Sequence, residues 1–439
     1  MKRWIAAILC LLSALSLIAC GNDSSSTPEP TEKKDYSKYA GIVADPVTWV
    51  EEFEKLPIAN ANMTTDELRQ LACDAFKANL TFQWTPNKDI QYTYELLDKY
   101  TDVYLPTGKA YSGFAYATGV EGATSGTIYK ALYYYDRETG VLDVEAMGDN
   151  ALNAITSACS AGAMQGWNRV SNSHGLSTMG SYTQYKSNIV PVGPYTYDVV
   201  DYKSKFNSRT STTEIIEKNG VQTMFESYGC MLPADGLYSA PSWHVMMCCS
   251  KAEVVRNADG TINGDASYIY LHEQGAKGTN RADEYTKMQD NGVGIQMMGT
   301  VDRKVTFQKL LDSGYIPFTL KEFLGEDPVE PGEAWIGTQT APVENGTAMT
   351  LKELVTKSAF GNYVPCYLEF VVKTPDGTDL VRYNPGLSTQ PWDYEVPLMG
   401  LLDVERLSPY ANGKNTIHIY VQLANGEYLE AFNTVLKAD

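Results

Sequence analysis

Cys159 begins the stretch "CSAGAMQGW", where small residues surround a thiol at the predicted first turn of a helix. A helix N-terminus carries about half a positive charge and unpaired N–H groups, and both lower the pKa of a nearby thiol. Ser160 and its small neighbours would let a substrate carbonyl approach closely and accept backbone hydrogen bonds as its oxyanion forms. The pattern is therefore compatible with a nucleophile, but also with an inert core cysteine, which is the commoner role of a helical thiol.

A cysteine hydrolase also needs a base, and the chain contains four histidines. His418 lies on the polar side of the predicted strand "TIHIYVQL", and His174 lies in "NSHG", which ends the Cys159 helix; both are better explained as surface polar residues. His244 begins a strand after the loop "ADGLYSAPSW", a position from which its ring can face a helix terminus across a cleft. We therefore predict His244 as the base.

The third group of the site is expected on the following strand, "SYIYLHEQ". His272 and Gln274 alternate with the apolar residues of this strand, so either side chain is placed to orient the His244 imidazole if the two strands pair antiparallel. Two polar residues at a strand end explain the same pattern equally well. Glu273 has the parity of Leu271, and we expect it to point the other way, into solvent.

Several elements must position these residues. "MTTDELRQLACDAFKANL" predicts a helix over residues 63–80 that begins near Thr64 and carries Cys73 in its apolar stripe. "WHVMMCCSKAEVVR" and "SYIYLHEQ" predict two strands joined by the turn residues of "NADGTINGDA". "VTFQKLLDSGYIPFTLKEF" predicts a helix that stops at Gly314 and continues as an extended segment.

The sequence changes character after residue 330. "GEDPVEPGEAW" accumulates proline, glycine and glutamate, which is typical of a domain boundary. Beyond it, "YLEFVVKTPDGTDLVRY" and "NTIHIYVQLANGEYLEAF" each predict two strands around a tight turn. We predict a small all-β sandwich over residues 335–439.

The order of these features resembles the NlpC family of papain-like bacterial cell-wall peptidases. "GKAYSGFAYATG" is similar to that family's upstream segment, "ACSAGAMQGWNRVS" to its nucleophile helix and "APSWHVMMCCS" to its histidine-led strand. The resemblance implies an α+β fold, with a papain-like catalytic domain over residues 46–330 whose Cys helix packs on an antiparallel sheet. It further implies hydrolysis of amide bonds in peptidoglycan stem peptides, without a cofactor or a metal.

The resemblance also assigns roles to individual residues. Cys159 would attack the carbonyl and His244 would take up its proton, while His272 or Gln274 would orient the ring. Three further residues are predicted to contact the substrate: Tyr116, Ser160 and Trp243.

The N-terminus predicts export. Lys2 and Arg3 precede an apolar run that ends at Cys20, an arrangement similar to a bacterial lipoprotein signal. Residues 1–20 would be this signal, acylated Cys20 would anchor the chain to a bilayer, and residues 21–45 would form a disordered linker. We expect a protein held at the outer face of a bacterial membrane.

Composition limits the classes of partner and of fold. The formal charge of −18 becomes −20 once Lys2 and Arg3 are removed with residues 1–19, so nucleic acid is excluded as a partner. About 420 residues predict two or more domains. The remaining cysteines show no C-x-x-C spacing that would suggest zinc, and we expect mostly free thiols in a monomer. The alternative to an enzyme is a non-catalytic surface lipoprotein that binds glycan or peptide.

Overall fold

The computed structural model describes residues 34–43, 45–96, 99–117, 128–148, 151–171, 189–197, 211–275, 295–296, 299–338, 341–385 and 394–438. The chain divides into two compact units, Met1–Lys38 and Tyr39–Asp439. The predicted signal peptide and residues 21–33 of the predicted linker lie outside the described residues, as does His174. None of the described helices has both the length and the apolar character needed to cross a bilayer.

The fold is α+β, as the sequence predicts. The helix predicted over residues 63–80 is confirmed as Thr65–Thr81, and it begins with a capping box in which Thr64 and Glu67 exchange hydrogen bonds. Its apolar stripe, including Cys73, is buried. This stripe packs against the helix Cys159–Trp167, called here the Cys159 helix.

Two glycines allow this close helix packing. A Cβ atom on Gly166 would lie 2.6 Å from the carbonyl oxygen of Ala72 and 2.8 Å from the methyl carbon of Met247. A Cβ atom on Gly162 would lie 3.0 Å from the ring of Phe76. Any larger residue at position 166 would therefore push the Cys159 helix away from the helix Thr65–Thr81 and from the sheet.

Both helices pack against a six-stranded sheet, called here the central sheet. Its strands in spatial order are Gly299–Thr306, Tyr268–Gln274, His244–Cys248, Gly236–Ser239, Tyr315–Leu320 and Ile189–Pro191. All neighbouring pairs are antiparallel. The two strands predicted around "NADGTINGDA" are thus confirmed, although the first ends at Cys248 rather than continuing to Arg256.

The segment after the central strands follows the predicted order. A short helix, Phe307–Asp312, is followed by Gly314 at φ +72°, a left-handed backbone conformation that suits glycine. The chain then continues as the strand Tyr315–Leu320, which lies in the central sheet between the strands Gly236–Ser239 and Ile189–Pro191.

A second, five-stranded sheet is built from four strands early in the chain and one later strand. Its strands in spatial order are Ile295–Gln296, Tyr111–Ser112, Gln83–Pro86, Val141–Leu142 and Tyr135–Asp136. Two two-stranded pairs accompany it: Ile90–Leu96 with Lys99–Leu105, and Ala115–Tyr116 with Thr156–Ser157. The other helices before residue 330 are Ser37–Tyr39, Pro46–Glu54, Ile128–Tyr133, Val144–Met147, Ala151–Ile155, Ser211–Asn219, Val221–Gly229 and Lys321–Leu324.

Residues 334–438 form two further sheets around one hydrophobic core. Both predicted hairpins are present, and the turns between their strands are those predicted. The first sheet has the order Ala341–Pro342, Ala334–Thr338, Ser358–Gly361 and Glu395–Pro397. The second has the order Met349–Thr350, Tyr428–Lys437, Thr416–Leu423, Pro365–Lys373 and Asp379–Tyr383. Short helices Leu351–Leu354, Val404–Leu407 and Ser408–Tyr410 connect them.

Candidate active site

Cys159 is the first residue of its helix, as predicted, and its thiol is free. Ala158 precedes it in an extended conformation and has no side-chain oxygen to cap the helix, so the N–H groups of the first turn remain available to the sulfur and to a substrate. The sulfur lies 3.7 Å from the carbonyl oxygen of Trp243. The residue is only 4% exposed.

A short parallel pair holds the start of this helix. Ala115–Tyr116 pairs with Thr156–Ser157, and the N–H of Ala117 donates to the carbonyl oxygen of Ser157 at 3.3 Å. The segment "GFAYA", part of the stretch similar to the NlpC upstream segment, therefore lies directly beside the chain that leads into Cys159.

His244 begins its strand and lies next to Cys159, as predicted. Its side chain interacts electrostatically with the Cys159 thiol, and its Nε2 lies 2.5 Å from Oε1 of Glu273. Because Nε2 is occupied by this carboxylate, Nδ1 is the ring nitrogen left for the sulfur. The imidazole thus bridges the thiol and a carboxylate.

Glu273, and not His272 or Gln274, contacts the imidazole. The expectation that Glu273 points into solvent is wrong, because its side chain is fully buried. Its second oxygen, Oε2, lies 2.5 Å from Nη1 of Arg303. The imidazole and the guanidinium both pair with the buried carboxylate, and such pairing offsets the cost of removing its charge from water.

Strand register explains the error. Met247 pairs with His272 and Cys248 with Leu271, so His272 lies on the side of Met247, opposite to that of His244. Glu273, one residue further along, lies on the side of His244. A register different by one residue would reverse these positions, and parity within single strands does not determine it.

The two residues predicted to orient the base have other contacts. His272 accepts a hydrogen bond at Nδ1 from the N–H of Asp302 at 3.3 Å, and Gln274 donates one to the carbonyl oxygen of Phe114 at 3.1 Å. Within the described part of the chain, neither forms a hydrogen bond with His244. Burial lowers the pKa of His272 to about 4, so its ring is neutral at physiological pH.

The pKa of the Cys159 thiol is lowered. Burial alone would raise it, but the charge of His244, the hydrogen bond from its ring, and the N–H groups of Val245 and Ser160 outweigh burial by stabilising the thiolate. The Ser160 contact is the helix N-terminus effect that the sequence predicts.

The pKa of His244 is raised. Burial acts to lower it, and the charges of Glu273 and Cys159 together with their hydrogen bonds reverse that effect. The lower pKa of the Cys159 thiol and the higher pKa of the His244 imidazole both favour a thiolate–imidazolium pair.

The other thiols for which a shift is resolved move in the opposite direction. Burial raises the pKa of Cys73 to about 12, and it also raises the pKa values of Cys230, Cys248 and Cys249. Cys159 therefore differs from these thiols in the direction of its pKa shift, because the charge of the His244 imidazole outweighs the effect of burial.

The three residues predicted to contact the substrate differ in their exposure to solvent. Tyr116 is buried, and its carbonyl oxygen accepts a hydrogen bond from the Tyr92 hydroxyl at 2.8 Å. Ser160 is half-buried, and Trp243 is 37% exposed beside His244 with φ +46°. His418 lies far along the chain in the strand Thr416–Leu423, where its Nδ1 contacts Glu430 at 3.0 Å.

Sequence reasoning missed Glu273 and Arg303. One signal was available, since Glu273 occupies the apolar parity of Ile269 and Leu271, and a carboxylate on a buried face requires a charged or hydrogen-bonding partner. Arg303 carries no comparable signal, because it lies on an edge strand whose residues alternate between half-buried and exposed.

Comparison of the chain with known protein families, with curated proteins and with solved structures found no match. The resemblance to the NlpC family therefore stays a prediction carried by the residues quoted above.

Proposed function

We propose that the chain is a cysteine hydrolase with a papain-like catalytic domain, in which Cys159 is the nucleophile, His244 the base and Glu273 the group that orients the base. The observation that carries this proposal is the His244 ring, whose Nε2 lies 2.5 Å from Oε1 of Glu273 and whose charge acts on the buried Cys159 thiol at the start of its helix. Nucleophile, base and orienting group in contact are the components that acyl transfer by a thiolate requires.

The reaction proceeds in two stages. The Cys159 sulfur attacks the amide carbonyl carbon, and the oxyanion that forms accepts hydrogen bonds from N–H groups at the start of the helix. The His244 imidazolium gives its proton to the leaving nitrogen, the C–N bond breaks and a thioester remains. Water then loses a proton to His244 and attacks the thioester, which releases the carboxylic acid and restores the thiolate–imidazolium pair.

The proposed substrate is the stem peptide of peptidoglycan. The support for this choice is the resemblance to the NlpC family together with the lipoprotein-like N-terminus, which would place a monomeric enzyme at the outer face of the membrane beside the cell wall. We assign no role in hydrolysis to the β-rich residues 335–439.

The test is digestion of purified peptidoglycan, with the released muropeptides identified by mass spectrometry. Cys159→Ser and His244→Ala should each abolish cleavage and retain the far-ultraviolet circular dichroism of the wild type. Cys230→Ser is the matched control, because Cys230 is an exposed free thiol that is not one of the proposed catalytic residues, and it should cleave normally. Cleavage by folded Cys159→Ser protein would end the proposal.

A non-catalytic binder is the second candidate, and one observation favours it. Cys159 and His244 are only 4% and 8% exposed, so little of either side chain is accessible to a peptide. Iodoacetamide labelling at neutral pH separates the two candidates. An enzyme requires Cys159 to react much faster than the other five free thiols, whereas no preference for Cys159 would favour the binder.

A further inference from the structure

A second group of reactive side chains lies on the central sheet, outside the proposed catalytic residues. Cys249, His272 and Asp302 each offer one ligand atom, and these atoms lie within 4.8 Å of one another. The three residues come from, or directly follow, three neighbouring strands of the sheet. They are separated by more than twenty residues along the chain, which is why no ligand spacing is visible in the sequence.

We infer that Cys249, His272 and Asp302 form a binding site for a divalent transition metal of the zinc class. A thiolate, an imidazole and a carboxylate are the protein ligands that zinc prefers, and three of them with water in the fourth position form a common coordination set. This proposal is independent of the hydrolase proposed above.

The distances suit such an ion. Tetrahedral zinc with Zn–S and Zn–O bonds of ordinary length holds its sulfur and oxygen ligands ~3.6 Å apart. Sγ of Cys249 lies 3.6 Å from Oδ1 of Asp302. The ligand atoms lie within 4.8 Å of one another, so the imidazole needs to approach by about 1.4 Å at most, a change that a rotation of the side chain supplies.

The backbone presents the ligand atoms in the required direction. The strands of His272 and Asp302 shift register between Leu271 and Glu273, and Asp302 has φ +53°, a conformation that is unusual for a residue other than glycine. The Asp302 N–H donates to Nδ1 of His272, which holds the ring beside Asp302; an ion bound at Nδ1 would replace this hydrogen bond. Strained backbone and register shifts of this kind concentrate at functional sites.

Access to the cluster also fits a cation. Asp302 is exposed, Cys249 is half-buried and His272 is buried, so the cluster has one open side through which an ion and a water ligand can enter. Lys77 lies 3.7 Å from Oδ2 of Asp302, which leaves Oδ1 directed at Cys249.

The cluster shares its strands with the proposed active site. His272 is adjacent to Glu273, and Asp302 is adjacent to Arg303, the two residues whose carboxylate and guanidinium are paired. Because alternate residues of a strand face opposite sides, an ion bound by His272 and Asp302 would tie together the two strands that hold Glu273 and Arg303. The expected role is to fix these strands against each other.

Cobalt titration of the full chain after chelation tests the inference. Co²⁺ gives an intense charge-transfer absorption only when a thiolate is a ligand, so the wild type should develop this band with one equivalent and lose it when Zn²⁺ is added. Cys249→Ser should lose the band, and Asp302→Gly should weaken Co²⁺ binding by at least about 10-fold. Glycine is chosen at position 302 because it adopts φ +53° without strain.

Two controls make the result decisive. Cys159→Ser and Cys230→Ser should each keep the band, because neither thiol belongs to the cluster. A band that disappears in Cys159→Ser and persists in Cys249→Ser would place the metal at the other site and overturn the inference, as would the absence of any band in the wild type.

Thermal denaturation provides a reading that does not depend on the spectrum. Zn²⁺ should raise the melting temperature of the wild type and of Cys230→Ser, and should raise that of Asp302→Gly by clearly less. An equal rise in all three proteins would contradict the inference. Neither measurement uses hydrolysis, so failure here and failure of the proposed enzyme are distinguishable.

Discussion

Replacing Glu273 by glutamine keeps the size of the side chain and removes its charge. Glu273 lies between two donors, Nε2 of His244 and Nη1 of Arg303, each at 2.5 Å. A glutamine has one oxygen, so it can accept from only one of them and must present its NH₂ group to the other. Either orientation leaves an unfavourable contact, and neither supplies the negative charge that stabilises the imidazolium.

The expected size of the effect follows from this contact. A hydrogen bond to a charged group contributes about 1.5–3 kcal/mol, and 1.36 kcal/mol corresponds to one pKa unit, so the pKa of His244 should fall by about 1–2 units. Glu273 is fully buried, so solvent does not screen this interaction. A less basic His244 stabilises the thiolate less, and the pKa of Cys159 should therefore rise.

The assay is the rate of iodoacetamide alkylation of Cys159 as a function of pH. In the wild type, the raised pKa of His244 and the lowered pKa of Cys159 should preserve the thiolate well below the pH at which an ordinary thiol ionises. As the pH is lowered, Glu273→Gln should lose the thiolate at a higher pH than the wild type does. Below that pH, alkylation of the variant should be ~10–100-fold slower than that of the wild type.

A matched variant separates this effect from general destabilisation. Asp235→Asn also removes a buried carboxylate from an ion pair, that with Arg69 at 2.6 Å, but Asp235 does not contact His244. Its alkylation profile should coincide with that of the wild type. The reasoning is refuted if the profile of folded Glu273→Gln also coincides with it.

Two further predictions concern the packing of the Cys159 helix and the anchor. Gly166→Ala should lower the free energy of unfolding in urea, because overpacking against the Ala72 carbonyl costs about 1–3 kcal/mol, more than the ~1 kcal/mol that alanine gains in helix propensity. The control is Gly229→Ala, whose new Cβ would meet only side-chain atoms, the nearest belonging to the exposed Val254, and this variant should be at least as stable as the wild type. Equal stability of the two variants would contradict the packing argument. Cys20→Ala should abolish incorporation of radiolabelled fatty acid in bacterial cells, and labelling at the wild-type level would exclude lipidation at this residue.

The sequence alone determined the local elements and two of the proposed catalytic residues. Helix Thr65–Thr81 follows from a capping box and an apolar stripe, and the hairpins after residue 335 follow from their turn residues. Cys159 and His244 were identifiable because a helix start and a strand start are local features that residue types reveal directly.

Only the tertiary structure decided which residues meet across strands. Alternation along one strand shows which of its residues share a face of the sheet. Which residues of the neighbouring strand lie on that same face depends on the pairing register. Because Met247 pairs with His272, Glu273 and not His272 lies on the face of His244. The same register, with the irregularity near Asp302, assembled Cys249, His272 and Asp302 from distant parts of the chain. Contacts of this kind arise from long-range pairing, and no local pattern in the sequence encodes them.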